Sequence, residues 1–395
     1  MAVVGRAITA TALSTGCVTL FRPPGIMLSP LKTDFEMLNR LISPFNLIVG
    51  QKPESIACAL DELRGFLMPR LEEQGLPMSG DFNQSRCLIS NIGSPYSCSI
   101  NPKYSENGRL DLSERKTVAL LGFLGLRGFD PDLAASIFKS SVGRRGIRAY
   151  WTQIPEIRER YDVSPSEVAA RSDHSPLEEN IGRSMKELDE EFIGIPPIFG
   201  LSQYQKKMNH LERDTGKRIF EVVTPLSLPG HRLQTALEKV AAREGCRRLK
   251  GLTAIDIGFS GNHASSVTVR SRSREQRITF SKMILASGNL VSGGLVTDVD
   301  EPDQIVAPLQ ADISRLPSTI SASDASLGSQ ALRSAMTTGI RTDADFHIVC
   351  RKGEVLDNVF GAGSALSGFS LPTGVGLGGV MFTAWIAAEN AMEGG

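Results

Sequence analysis

The stretch VLDNVFGAGSALSGF, residues 355–369, is followed closely by TGVGLGGVMFTAWIAAENA, residues 373–391. The first is an apolar strand that ends in a glycine-rich turn, and the second is a glycine-rich turn that leads into a helix, predicted over residues 378–392. Ligands of open α/β sheets bind beyond the carboxyl ends of strands, and a helix N-terminus offers unpaired N–H groups. Each stretch alone is also compatible with a turn that permits close helix–sheet packing.

A third segment, ITFSKMILASG at residues 278–288, precedes these two. It predicts a buried strand that ends in three small residues, where a flat cofactor can approach the backbone closely; the alternative is a tight turn. The three segments in this order are more specific than any one of them. We therefore predict cofactor contacts at Ala286, Ser287, Gly288, Gly361, Ala362, Gly363, Ser364, Gly374, Gly376, Gly378 and Gly379.

The middle of the chain predicts a parallel sheet. TVALLGFLGL, residues 117–126, is typical of a buried strand, and Asp130 and Pro131 then supply an N-cap and a first helical residue. The strand IRAYWTQI follows this helix, so the three elements form a βαβ unit with parallel strands. The fold class is therefore α/β.

Four other segments give local predictions. AVVG at residues 2–5 predicts a short strand, and the apolar spacing over residues 54–74 predicts a helix. LPG at residues 228–230 is interpreted as a turn that precedes a helix. QRITFSKMILASG is interpreted as part of an antiparallel meander.

The composition limits the function classes. The 395 residues contain 43 basic and 43 acidic side chains, which gives no sign of a nucleic-acid partner. The six cysteines form no CxxC pair, so we expect no metal site and no disulfide framework. No apolar run approaches the roughly 18–20 residues that span a bilayer. We therefore expect a cytoplasmic protein that a partner can hold at the membrane.

The order ILASG, NVFGAGS, GxGxGG–helix resembles the C-terminal half of flavoproteins with a two-part dinucleotide-binding domain. More narrowly, the chain resembles the B-type subunit of anaerobic glycerol-3-phosphate dehydrogenase. The resemblance is most specific over residues 280–390. The segments that carry it are ILASGNLVSGGLV (284–296), GIRTD (339–343), NVFGAGSALSGF (358–369), GVGLGGVMFTAWIAA (374–388), LPGHRLQTAL (228–237), GFLGLRGFDPDLAA (122–135) and ATALSTGCVTLF (10–21).

The resemblance implies a Rossmann-like flavin domain built from residues 1–30 and 220–395, with a substrate or interaction domain inserted at residues 31–219. It implies FMN as cofactor, with FAD as the alternative, and adds Ser14, Thr15 and Gly16 as cofactor contacts. It also implies two partners at the inner face of the cytoplasmic membrane: a second flavoprotein, the A-type subunit, and a membrane-associated iron–sulfur protein, the C-type subunit. Glycerol 3-phosphate would be oxidised to dihydroxyacetone phosphate, and the electrons would pass towards quinone.

The N-terminus departs from the flavoprotein pattern. Such proteins begin with a strand, a GxGxxG loop and a helix, whereas AVVG corresponds best to the second strand of that unit. We expect either a start codon assigned too late or the loss of this βαβ start. In addition, no acidic residue follows AVVGRA to bind a ribose hydroxyl, which disfavours FAD and is neutral towards FMN.

The sequence identifies no catalytic base. Arg232, His231 and Arg341 are the weak candidates for substrate or cofactor contacts, because arginine binds anions and histidine exchanges protons near neutral pH. The alternative for Arg232 and His231 is a surface helix N-terminus. Two other functions stay open: a non-catalytic scaffold subunit with a degenerate flavoprotein fold, and a stand-alone flavin-dependent oxidoreductase of another small hydroxy compound.

Overall fold

The structure is a computed structural model. It describes residues 1–5, 9–20, 31–32, 53–110, 117–143, 146–157, 162–225, 228–272, 274–289, 293–297, 305–306, 338–350, 353–367 and 376–393. The chain divides into two compact units. The insert unit comprises Ile8–Lys32 and Gly65–Gly245, and the terminal unit comprises Met1–Ala7, Thr33–Arg64 and Cys246–Gly395.

The regular elements are numbered along the chain. The helices are α1 Pro53–Glu73, α2 Pro131–Val142, α3 Pro165–Ser172, α4 Leu177–Lys186, α5 Tyr204–Thr215, α6 Leu228–Arg243 and α7 Leu377–Glu393. The strands are β1 Ala2–Gly5, β2 Leu31–Lys32, β3 Met78–Gly80, β4 Gln84–Ile89, β5 Pro95–Cys98, β6 Ile100–Pro102, β7 Val118–Phe123, β8 Ile147–Thr152, β9 Phe192–Ile195, β10 Arg218–Glu221, β11 Arg247–Lys250, β12 Thr253–Ser260, β13 His263–Arg270, β14 Glu275–Thr279, β15 Met283–Leu285, β16 Val296–Thr297, β17 Ile305–Val306, β18 His347–Val349 and β19 Val355–Gly361.

The insert unit contains a four-stranded parallel sheet in the order β10-β9-β7-β8. All six residues of β7 are buried, as expected for a central strand covered on both faces. Asp130 accepts hydrogen bonds from the N–H groups of Asp132 and Leu133 at the start of α2, both at 3.0 Å. Gly143 ends this helix in the left-handed region. The βαβ unit and the α/β class are therefore confirmed.

The start of α6 differs from the prediction. The turn predicted at residues 228–230 is wrong, because the helix already begins at Leu228 and includes Pro229 and Gly230. Proline fits the first turn of a helix, where its missing N–H has no partner to lose. At Gly230, an added Cβ would lie 2.7 Å from the Ala12 carbonyl oxygen. Glycine is therefore favoured at this position because another backbone approaches it closely, and it does not mark a turn.

The terminal unit combines parallel and antiparallel pairs. β1 lies parallel to β11, and β12, β13 and β14 form an antiparallel sheet. A further sheet has the order β15-β19-β18, in which β15 is parallel to β19. The predicted strand at residues 2–5 and the helices at residues 54–74 and 378–392 are confirmed as β1, α1 and α7.

The meander prediction is half wrong. β14 pairs antiparallel with β13, whereas β15 leaves the meander and pairs in parallel with β19. Moreover, β15 is not a buried strand, since Ile284 is 38% exposed. The partner strand begins about seventy residues further along the chain, so local alternation did not reveal it.

No helix in the described part of the chain combines the length and apolar character that crossing a bilayer requires. The predicted domain boundaries stay a prediction. They assign residues 1–30 and 220–395 to a flavin domain and residues 31–219 to an insert.

Candidate functional site

Two of the predicted segments meet at one edge of the terminal unit. Leu285 lies opposite Gly361 in the parallel pair β15–β19, and the Ala362 N–H donates to the Leu285 carbonyl at 2.9 Å. Parallel strands present their carboxyl ends at the same edge of a sheet. The turn after ILAS and the turn after NVFG therefore leave this edge side by side.

The third predicted segment docks on the second turn. Gly363 has a φ of 68°, which favours glycine, and its N–H donates to Thr383 Oγ1 on α7 at 3.0 Å. An added Cβ at Gly363 would lie 3.3 Å from Val380 Cγ1. The start of α7 is thus packed against the turn that ends β19.

The first turn of α7 carries no acidic side chain. Gly378 and Gly379 are buried, and the N–H groups of Gly379 and Val380 both donate to the Gly376 carbonyl, at 3.1 and 3.3 Å. Both acidic residues of the helix lie near its other end, where burial raises the pKa of Glu389. The positive end of the helix dipole is therefore not neutralised by its own first turn. Gly374, also predicted as a contact, lies outside the described residues.

The turn after β15 is the most open part of this edge. Ala286 and Ser287 are exposed, and Gly288 adopts a φ of 93°. The Gly294 N–H donates to the Asn289 carbonyl at 2.9 Å, which holds Gly294 next to this turn. We refer to Ala286–Gly288, Gly361–Ser364 and Gly376–Gly379 together as the glycine edge.

The glycine edge contains two kinds of residue. Gly361, Ala362 and Gly363 are buried, and each donates its N–H within the protein: to Phe346, Leu285 and Thr383. At Gly361, an added Cβ would lie 2.6 Å from the Leu366 side chain, so packing within the protein favours glycine there. The accessible members are Ala286, Ser287, Gly288, Ser364, Gly376 and Leu377.

The accessible residues of the glycine edge are uncharged, most have small side chains, and they lie next to a helix N-terminus. These properties suit a flat, electron-rich ring edge or a phosphate group, which prefer backbone N–H groups and the positive end of a helix. A carboxylate in the first turn of α7 would oppose such a ligand, and that turn has none.

Ser14, Thr15 and Gly16 belong to the insert unit. The Thr15 and Tyr96 hydroxyl oxygens lie 3.1 Å apart. Gly16 has a φ of 74°, and an added Cβ would lie 2.8 Å from Pro229 Cβ at the start of α6. Packing within the insert unit accounts for this glycine, and the assignment of the loop as a cofactor contact stays a prediction.

Arg232 is buried, with 4% of its surface exposed. It forms a two-pronged ion pair with Glu221 on β10, and its Nε donates to the Gly200 carbonyl at 3.2 Å. A third hydrogen bond goes to the Phe199 carbonyl, and the guanidinium stacks 4.1 Å from the centre of the Tyr204 ring. Burial raises the pKa of the Tyr204 hydroxyl, against the opposing effect of Arg232. This environment favours a structural role for Arg232.

The other two candidates are His231 and Arg341. His231 is half-buried on α6 in the insert unit. Arg341 is exposed in the terminal unit, and the Val349 N–H donates to its carbonyl at 3.0 Å. Nothing in their surroundings assigns either residue a catalytic role.

Sequence reasoning missed two residues that hold the glycine edge. Thr383 bonds the Gly363 turn, and Asn358 is 3% exposed and bonds both Ala264 and the Ser281 carbonyl. Each is a polar residue at a buried position of an apolar element. Because buried polar groups form hydrogen bonds, this pattern in the sequence could have indicated that both residues hold neighbouring segments.

A small cluster near β18 was also not foreseen. One possible ligand atom each from Asp343, Asp345 and His347 lies within 4.8 Å of the others. Asp343 Oδ1 accepts the N–H groups of Asp345 and His347, at 3.0 and 2.8 Å. These bonds within the turn account for the arrangement without a metal ion.

Several known proteins are similar to this chain, although no protein-family model matches it. The B-type subunit of anaerobic glycerol-3-phosphate dehydrogenase from Vibrio cholerae serotype O1 (strain M66-2) is 29% identical over 209 residues, which cover 51% of this chain and 46% of that protein. The Actinobacillus pleuropneumoniae serotype 5b (strain L20) protein of the same name is 25% identical, covering 69% and 66%. The Haemophilus influenzae (strain PittGG) protein is 24% identical, covering 88% and 81%.

Solved structures offer weaker similarity. THI4 from Thermovibrio ammonificans is 13% identical, with 70% of this chain and 89% of that chain covered and a TM-score of 0.25. The ornithine hydroxylase PvdA from Pseudomonas aeruginosa is 9% identical, with 71% and 54% covered and a TM-score of 0.14. Neither similarity is strong enough to bear on fold or function.

The chain spans about half to two thirds of the length of the first two of these relatives. The shared name agrees with the family that the glycine-rich C-terminal segments predicted. The chain resembles the B-type subunit of anaerobic glycerol-3-phosphate dehydrogenase.

Proposed function

We propose that this chain is a flavin-binding subunit of a glycerol-3-phosphate dehydrogenase complex. The single observation that carries the proposal is the glycine edge, where two parallel strand ends and the start of α7 converge. The names of the relatives support the reaction, and the word subunit in them supports a complex.

The residues present fit a flavin at this edge. Ala286 and Ser287 offer small exposed side chains, and the first turn of α7 has no carboxylate that would repel an electron-rich ring. A bound flavin would accept two electrons as the secondary alcohol of glycerol 3-phosphate becomes the ketone of dihydroxyacetone phosphate. The chain's own contribution is to bind and orient the ring, with the α7 N-terminus stabilising negative charge on it.

FMN is the proposed cofactor, with FAD as the alternative. Its support is the lack of an acidic residue after AVVGRA, where an adenosine ribose would need one. The proposed partners are a second flavoprotein subunit and a membrane-associated iron–sulfur subunit that carries electrons towards quinone. The chain would then lie in the cytoplasm or at the inner face of the cytoplasmic membrane through these partners.

A second candidate function is a scaffold subunit without cofactor. The observation that favours it is the use of the Gly361, Ala362 and Gly363 N–H groups inside the protein, which leaves fewer donors for a ligand. In this case the glycines of this edge serve only the close packing of the strand ends against α7.

Anaerobic titration distinguishes the two candidates. The purified chain is reconstituted with FMN or FAD, and glycerol 3-phosphate is added with and without the partner subunits. The proposal predicts a yellow protein whose visible flavin absorption is bleached by the substrate in the complex. A colourless chain that takes up no flavin, in a complex that remains active, would support the scaffold function instead.

A further inference from the structure

We infer that Thr383 is a positioning residue whose hydroxyl group joins two segments of the glycine edge, Gly361–Ser364 and Gly376–Gly379. The inference rests on the proposed flavin site and deepens it, because it names the group that sets the geometry of that site.

The hydroxyl of Thr383 connects two of the predicted contact residues. Its oxygen accepts the Gly363 N–H at 3.0 Å, and it lies 3.0 Å from the carbonyl oxygens of both Gly379 and Val380, to which its proton can be donated. Gly363 belongs to the turn after β19, and Gly379 belongs to the first turn of α7. One side chain therefore fixes the distance between the strand end and the helix start.

Burial makes this hydroxyl significant. Thr383 is 2% exposed and its neighbours on the helix include Phe382 and Ile386, which are also buried. Valine has nearly the same shape and would fill such a position without any need for a hydrogen bond. A threonine hydroxyl that bonds the preceding turn of its own helix gains little for the helix itself. Its distinctive contribution is the bond to Gly363.

Gly363 has few alternative ways to satisfy its N–H. The residue is buried, and its N–H donates to Thr383 on α7. Without the Thr383 hydroxyl, a buried donor loses its partner, and the turn is expected to shift. Ser364 follows directly and is one of the accessible members of the glycine edge. A shift of the turn therefore moves a surface that faces the ligand.

The test compares three variants by flavin affinity and by the visible spectrum of bound flavin. Thr383→Val removes the hydroxyl and keeps the shape, whereas Thr383→Ser keeps the hydroxyl. Ser266→Ala removes a different buried hydroxyl of the terminal unit, on β13, which accepts the Arg277 Nε–H at 2.8 Å. The unfolding midpoint of each flavin-free variant is measured in parallel.

Thr383→Val is expected to weaken FMN binding about tenfold and to shift the flavin spectrum towards that of free flavin. Thr383→Ser is expected to restore both, and Ser266→Ala to leave both unchanged even where its midpoint falls. If the valine variant does not fold, Thr383→Ala removes the same hydroxyl with a smaller side chain.

Three results overturn the inference. Wild-type affinity and spectrum in Thr383→Val would show that the hydroxyl does not set the site, while the proposed flavin site itself would stand. An equal loss of affinity in Ser266→Ala would assign the effect to general stability. A wild-type chain that binds no flavin would overturn the proposed function together with this inference.

Discussion

Arg232 illustrates how burial decides the role of a charged residue. The Arg232–Glu221 pair has side chains that are 3% and 4% exposed, whereas the Arg243–Glu73 pair of the same unit has 62% and 63% exposed. Breaking a buried pair leaves an uncompensated charge away from water, while an exposed pair is solvated in either case. The two arginines therefore provide a matched comparison.

We predict that Arg232→Met lowers the free energy of unfolding by about 3–5 kcal/mol, because Glu221 stays buried without its partner. Arg243→Met should cost less than about 1 kcal/mol. Urea unfolding followed by circular dichroism measures both. Equal effects of the two substitutions would contradict the structural role, and the double variant Arg232→Met/Glu221→Leu should recover much of the loss.

At the residue scale, the sequence predicted the kind of contact that a side chain makes better than it predicted which residue is contacted. An arginine at the start of a predicted helix indicated an anion contact, but its anion is Glu221 on the preceding strand. The two lie eleven positions apart in sequence, and the packing of α6 against β10 brings them together. Similarly, Thr383 looks like an ordinary helix residue until the Gly363 turn is placed against it.

At the scale of elements, close approach of two backbones explains the glycine at position 16. Gly16 and Gly143 both have positive φ angles, 74° and 69°. An added Cβ at Gly16 would lie 2.8 Å from Pro229 Cβ and 2.9 Å from the Pro229 carbonyl oxygen, whereas one at Gly143 would meet nothing within 4 Å. Comparing alanine substitutions at these two glycines therefore separates the free-energy cost of a positive φ angle from the free-energy cost of crowding.

We predict that Gly143→Ala lowers the free energy of unfolding by about 1 kcal/mol, the cost of a side chain in the left-handed region. Gly16→Ala should cost about 3 kcal/mol, since crowding against α6 adds to that strain. Denaturant midpoints of the two variants check this. A Gly16→Ala variant as stable as Gly143→Ala would show that the loop and the helix are not packed this closely.

Elements built from neighbouring residues were predictable, and pairings between distant segments were not. The β7–α2–β8 unit followed from Asp130, Pro131 and a buried apolar run, all within about 35 residues. In contrast, β15 pairs with β19, which lies about seventy residues further along the chain. The interpretation of β15 as a meander strand was therefore wrong. The glycine edge was predictable as three separate segments, and only the fold shows how their ends meet.

At the scale of the whole molecule, each unit carries one of the chain's two tryptophans. Trp151 lies on β8 of the insert unit, where its Nε1 donates to Asp132 at 2.6 Å. Trp385 lies on α7 of the terminal unit, two residues beyond Thr383. Trp151→Phe therefore leaves a fluorescent reporter of the terminal unit alone, and Trp385→Phe leaves a reporter of the insert unit alone.

The central claim is that the terminal unit binds flavin at the glycine edge. Its most direct test is the denaturant midpoint of each single-tryptophan variant with and without FMN or FAD. A ligand that binds only the folded state at about 100 times its dissociation constant stabilises that state by about 2.7 kcal/mol. We predict a stabilisation of this size in the transition reported by Trp385. A Trp385 transition that either flavin leaves unchanged would contradict the claim.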